Sequence, residues 1–182
     1  HRAYVPSTKE LVEIAKRADT VARRQGVSGA LVGGLVMQFF GSPRLTKDVD
    51  FIADAMVDLT PQFRRGRIIS FGGRVYTGSV ADVDWIVRAD EYAELYEDAL
   101  RGAGKSDEGF LVVTPEHLAV MKFAARRPKD YDDLMYLLGK RGLVDTKRAL
   151  NSVHRFLGGR FAVDEFKAAI DEARWRTRKE ES

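Results

Sequence analysis

The chain has 182 residues, 45% hydrophobic and 31% charged, enough for one domain or for a small core with a helical half attached. It has no cysteine, which excludes disulfides, thiolate metal sites and cysteine nucleophiles; no apolar run approaches a membrane span and no secretory pattern is visible, so a cytoplasmic protein is expected. Its net charge of +3 is uneven: residues 1–100 hold 13 basic and 14 acidic side chains and residues 101–182 hold 17 and 13, so the second half is the better match to a polyanion such as RNA or a triphosphate.

Ser7-Thr8-Lys9-Glu10 reads as a helix start, with Ser7 as N-cap and Glu10 closing a capping box. Apolar residues then recur at helical spacing from Leu11 to Val21-Ala22, and Gly26 ends the helix after Gln25. Val27 to Val32 reads as a short strand. After Gly33-Gly34, the apolar run Leu35 to Phe40 suits a short buried helix ended by Gly41-Ser42-Pro43. Thr46 to Ala53 reads as a strand whose alternation places Val49 and Phe51 on one face and Asp48, Asp50 and Ile52 on the other.

Arg67–Phe71 and Arg74–Thr77 flank Gly72-Gly73, a hairpin signal. Val80 to Val87 reads as another strand, with Val83, Trp85 and Val87 opposite Asp82, Asp84 and Ile86. A helix over Asp90–Gly102 and a short strand over Phe110–Val113 follow. Thr114-Pro115 opens a helix that is expected to run to about Arg127, where Pro128 breaks it. Further helices are expected from about Asp130 to Gly139, over 145–157 and over 163–177. The predicted fold is α+β: a small mixed sheet flanked by helices over residues 1–113, and a helical C-terminal region over 114–182 packed on that core.

Gly33-Gly34, thirteen residues and then Asp48-Val49-Asp50 carry the chemistry. On a strand Asp48 and Asp50 point to one side, about 7 Å apart along the chain. Carboxylates brought to roughly 4 Å repel by about 4 kcal/mol at an effective dielectric of 20, so an acidic face calls for a cation. A hard cation with oxygen ligands fits, and Mg²⁺ is favoured where phosphates complete its shell. A third carboxylate from Asp82 or Asp84 would allow a two-ion site of the kind that activates an attacking oxygen and stabilises a leaving pyrophosphate. Gly33 and Gly34 let the backbone, with amides of the following helix, approach a triphosphate closely, and Arg44 and Lys47 are placed to reach phosphate oxygens.

These residues resemble the DNA polymerase β superfamily of nucleotidyltransferases: a strand end, Gly-Gly or Gly-Ser, a spacer, Asp-x-Asp and a third Asp on a later strand. Arg44-Leu45-Thr46-Lys47-Asp48-Val49-Asp50 is most similar to the bacterial branch with the AbiEii-type toxins, as is Lys122 followed by Arg126-Arg127 and Lys129-Asp130-Tyr131-Asp132-Asp133. The resemblance spans about residues 25–138 and implies that Asp48, Asp50 and Asp84 (Asp82 in reserve) bind Mg²⁺ or Mn²⁺. It further implies that Lys122 contacts the triphosphate, that Asp130, Asp132 or Asp133 orients that lysine or the acceptor, and that an antitoxin is a partner. Arg126, read as one turn beyond Lys122, would add a phosphate contact. Gly34 stands where many members have Ser, so any contact there comes from backbone. The function implied is transfer of a nucleoside monophosphate from an NTP to tRNA or other RNA, a protein or a small molecule. The alternatives are a non-catalytic nucleotidyltransferase-like binding module and, less well matched, a glycosyltransferase using Asp-x-Asp. Trp85 reads as core, and His117 and His154 as isolated.

Overall fold

The structure, a computed structural model, describes residues 4–182. They divide into two compact units, the first ending at Val113 and the second running from Thr114 to Ser182.

The first unit holds the helices α1 (Thr8–Arg24), α2 (Gly33–Phe39) and α3 (Ala93–Gly102). Its strands are β1 (Ala30–Val32), β2 (Asp48–Ile52), β3 (Arg64–Ile68), β4 (Gly73–Thr77), β5 (Asp82–Ile86), β6 (Gly104–Lys105) and β7 (Leu111–Val112). The strands form one mixed sheet in the order β3-β4-β5-β2-β1-β7-β6. β2 runs parallel to β5 and β1 parallel to β7, and the other pairs are antiparallel.

Local chemistry accounts for the element ends. The capping box at Ser7 and Glu10 is formed in both directions. At the other end of α1, Gly26 takes φ +79°, its N–H donates to Arg23 O, and the Val27 N–H donates back to Ala22 O. That closure is a Schellman motif. It explains why β1 starts at Ala30 and not at Val27: Val27 is spent on the helix cap. α2 begins at Gly33, two residues before the expected apolar run. β4 starts at Gly73 itself, and β3 lies upstream of the expected hairpin arm. Asp90 is not helical; its carboxylate accepts from Tyr92 N–H, and α3 starts at Ala93.

The core under the sheet is aromatic and aliphatic. Val49, Phe51, Val83 and Trp85, the apolar alternates of β2 and β5, are all fully buried. The Phe51 and Trp85 rings lie 5.4 Å apart, Phe110 meets Phe51 edge-on, and the Trp85 indole N–H donates to Ala55 O at 2.9 Å. Each such side chain stabilises the fold by about 2–3 kcal/mol through burial. This burial pins the register, since a one-residue slip of β2 would drive Asp48 and Asp50 into the core.

The second unit is helical: α4 (Pro115–Ala125), α5 (Pro128–Gly139), α6 (Thr146–Phe156) and α7 (Arg160–Glu181). Thr114 caps α4 by accepting from His117 N–H, and Asp145 caps α6. α4 stops at Ala125, sooner than expected, because Pro128 forces Arg127 into extended backbone (ψ 155°). Arg126 bridges the two helices in the left-handed region, the one non-glycine residue with positive φ among the described residues. Phe123 and Phe166 pack edge-to-face at 5.1 Å between α4 and α7. No described helix is long and apolar enough to cross a membrane.

Candidate active site

The parallel pairing of β2 with β5 sets Asp48 beside Asp82 and Asp50 beside Asp84. Paired residues on adjacent strands point to the same side, so all four carboxylates share the face opposite Phe51 and Trp85, with about 4.8 Å between strands and 7 Å along each. Asp48 is exposed, and the other three are partly covered.

The glycine pair closes one flank of this grid. β1 pairs Val32 with Asp50, so Gly33 turns away from the strand next to that carboxylate. Gly33 has φ +78°, and a Cβ on it would collide with Asp50 Oδ2. A Cβ on Gly34 would stand 2.6 Å from Thr46 Cβ and Oγ1. Both positions therefore require glycine, one for backbone conformation and both for space. Thr46, Gly34, Gly33 and Asp50 form a single packed junction.

Electrostatically the grid is a concentration of negative charge. Burial pushes the Asp84 carboxyl up to about 6; the charge of Asp48 and then Asp82 adds to this, while Arg67 and a hydrogen bond with Asp50 act the other way. Asp82 turns partly toward the preceding loop, accepting from Gly78 N–H at 3.4 Å. Among the described residues, no group of three or more His, Cys, Asp or Glu is disposed to hold a metal ion. The donors are hard carboxylate oxygens in an open grid, the chemistry an oxygen-preferring cation such as Mg²⁺ would require, with water and phosphate completing its shell.

Arg44 lies half-buried before β2, its carbonyl accepting from Gln38 Nε2 at 3.1 Å, and Lys47 is exposed beside Asp48. Two neighbours were not foreseen from sequence. Arg67 on β3 acts on the charge of Asp84 from two strands away. Tyr96 on α3 feels Asp50, and is held by Arg88, whose guanidinium donates to the Tyr96 hydroxyl at 2.9 Å. Arg88 also stacks over Phe71 at 3.9 Å and forks onto Asp90 at 2.8 and 3.0 Å.

The remaining predicted residues belong to the second unit. Lys122, with its side chain 11% exposed, lies 2.8 Å from Asp133 and 3.3 Å from Asp130, both buried. Arg127 closes on Asp130 at 2.7 Å. Burial raises the Asp130 carboxyl, but hydrogen bonds and charge from Arg127 and Lys122 outweigh it and leave the group below its ordinary value. Two cations thus face two carboxylates between α4 and α5. Asp132 is exposed and lines a different hollow with Tyr136, Lys140 and Arg176. Arg126 is not one helical turn beyond Lys122 as expected. It pairs with Glu165 of α7 at 3.1 Å, because the chain leaves α4 at that point.

No protein-family model matches the chain, and no curated protein matches its sequence. Solved structures do match. An antigenic nucleotidyltransferase-like protein from Paracoccidioides brasiliensis is 14% identical, with 92% of this chain and 95% of that one covered and a TM-score of 0.52. The antibiotic-resistance factor ANT(2'')-Ia is 12% identical, with 93% and 100% covered and a TM-score of 0.53. At these identities the likeness is one of architecture: the chain has an α+β, nucleotidyltransferase-like fold. These likenesses do not reach the AbiEii-like branch.

Proposed function

We propose that this chain is a Mg²⁺-dependent nucleotidyltransferase that moves a nucleoside monophosphate from an NTP to an acceptor hydroxyl. The observation that carries the reading is the β2–β5 register, which stacks Asp48 on Asp82 and Asp50 on Asp84 beside Gly33. The nucleotidyltransferase-like fold supports it.

In this reading Asp48, Asp50 and Asp84 hold Mg²⁺, with Asp82 partly engaged by its own loop. The ion supplies charge neutralisation at the phosphates and a lowered proton affinity at the attacking oxygen. Gly33 and Gly34 offer bare backbone to the donor's phosphates, and Arg44 and Lys47 add positive charge ahead of β2. The acceptor oxygen forms a bond to the α-phosphorus, the bond to the bridging oxygen breaks, pyrophosphate leaves with that electron pair, and the hydroxyl proton is released. A finer reading, the toxin of a toxin–antitoxin pair, draws on the Arg44-to-Asp50 motif, whose Thr46 supports Gly34.

The test is incubation with each α-labelled NTP, Mg²⁺ and total RNA or cell extract, followed by identification of the labelled species. Asp48→Asn is expected to abolish labelling while its circular dichroism stays that of the parent. Unchanged labelling in that variant removes Asp48 from the mechanism. Calorimetric silence toward all four NTPs with Mg²⁺ supports a non-catalytic binding module instead. For the toxin reading, induced expression in bacteria is expected to arrest growth, and Asp48→Asn to relieve the arrest.

A further inference from the structure

The β3–β4 hairpin is an island of one charge sign. Residues 59–81 contain four arginines (Arg64, Arg65, Arg67 and Arg74) and no acidic residue, whereas the rest of residues 1–113 carries 11 basic and 16 acidic side chains. β3 is an edge of the sheet, and Arg64, Arg65 and Arg67 on it are exposed.

A β-bulge decides where these arginines point. Arg65 pairs with Tyr76 and Ile68 with Arg74, so Gly66 and Arg67 together oppose Val75 alone. Across the next ladder Tyr76 pairs with Val83, Val75 with Asp84 and Arg74 with Trp85. Arg65 and Ile68 therefore share the face of Val83 and Trp85. Arg67, opposite Val75, is turned to the face of Asp84, where regular alternation from Arg65 would have placed it on the other side. Arg64, paired with Thr77, lies on the aspartate face as well. The bulge is built in: a Cβ on Gly66 would stand 2.7 Å from Val75 O, and Arg74 donates to Gly66 O at 2.8 Å. Arg67 is level with Asp84, and its charge is felt there.

Donor and arginines thus occupy opposite flanks. Gly33 and Gly34 follow β1, on one side of the β2–β5 pair, and β3 is on the other side, beyond β4. We propose that Arg64 and Arg67 bind the phosphate backbone of an RNA acceptor and lead its reacting hydroxyl to the carboxylate grid. This rests on the nucleotidyltransferase reading above. An acceptor carrying several positive charges would meet two guanidiniums on that flank and be repelled. A protein acceptor would find little apolar surface there, since exposed Ile68 lies on the other face; a positive, polar surface matches nucleic acid. Charge on an edge strand also deters aggregation, but that purpose needs no particular face.

Arg65 provides the control, since it carries the same charge on the same strand with the opposite facing. Binding of a 5′-fluorescein 15-nucleotide RNA to the full chain is measured by anisotropy across salt concentrations, with NTP–Mg²⁺ binding measured by calorimetry. Arg64→Gln/Arg67→Gln is expected to weaken RNA binding by about tenfold or more and to flatten the log–log salt slope by about 1.4, with a smaller change in NTP affinity, since Arg67 also acts on the charge of Asp84. Arg65→Gln is expected to change it by less than about threefold. Equal losses in both variants, no RNA binding by the parent, or a loss of NTP affinity in place of RNA affinity would overturn the proposal. NTP binding and labelling that persist without RNA binding sink this inference alone, whereas absence of NTP binding sinks the reading beneath it.

Discussion

Gly33 and Asp50 meet so closely that a single methyl group on the glycine would collide with the Asp50 carboxylate. The contact ties the end of β1 to the middle of β2, and it fixes where backbone without side chains adjoins the carboxylate grid.

Gly33→Ala is expected to lose about 2–4 kcal/mol, from positive-φ strain and from displacement of Asp50. In the double variant with Asp50→Ala the clash with the carboxylate is gone, and the strain, about 1 kcal/mol, together with a tight contact to the remaining Cβ at 3.2 Å is added to the effect of Asp50→Ala. Urea unfolding of all four proteins measures the cycle. Additive losses would show that the two residues do not touch.

Asp84 predicts an unusual pH dependence in the metal-free protein. Its carboxyl titrates at about 6 in the fold and at about 3.9 in an unfolded chain, so the folded state binds the extra proton. The cost of ionising it is absent below about pH 4, grows through pH 4 to 6 and is full above. With its partial exposure, that cost is about 1–2 kcal/mol. In EDTA, Asp84→Asn should melt about 3–6 °C above the parent at pH 8 and level with it at pH 4. Added Mg²⁺ should narrow the gap at pH 8 by raising the parent. A gap independent of pH would contradict this account.

The two aspartates of β5 should separate in activity. Asp84 hydrogen-bonds to Asp50, whereas Asp82 accepts from Gly78 N–H. Asp84→Asn is expected to lower kcat/KM for labelling by about 100-fold or more and Asp82→Asn by less than about tenfold. The reverse ranking would make Asp82 the third ligand.

Lys122 is expected to matter for stability in its own unit. Lys122→Met removes the ammonium that lies 2.8 Å from buried Asp133 and 3.3 Å from buried Asp130, while Arg127 stays on Asp130. Breaking such a pair costs about 3–5 kcal/mol, and Arg127 brings the expected loss to about 2–4 kcal/mol. The denaturation midpoint is the measurement. An unchanged midpoint would mean the lysine is not needed to neutralise the two carboxylates.

The carboxylate face was legible because strand alternation is local. Val49, Phe51, Val83 and Trp85 announce a buried side, and the intervening aspartates are then left on the other. The caps at Ser7 and Thr114 were readable for the same reason: each is satisfied within a few residues. Where short-range competition was finer, the sequence misled. Val27 reads as strand by composition but is used to close α1, and Arg126 reads as helix by spacing but follows the break that Pro128 imposes.

Taken alone, then, the amino-acid order determined which side chains could share a face and where helices could start, because backbone geometry over two to four residues settles both. Only the tertiary structure decided that β5 pairs in parallel with β2 and brings Asp84 level with Asp50, or that a bulge in β3 turns Arg67 toward them. Those are relations between strands separated by intervening chain, set by burying Phe51 and Trp85 together, and no local periodicity encodes them.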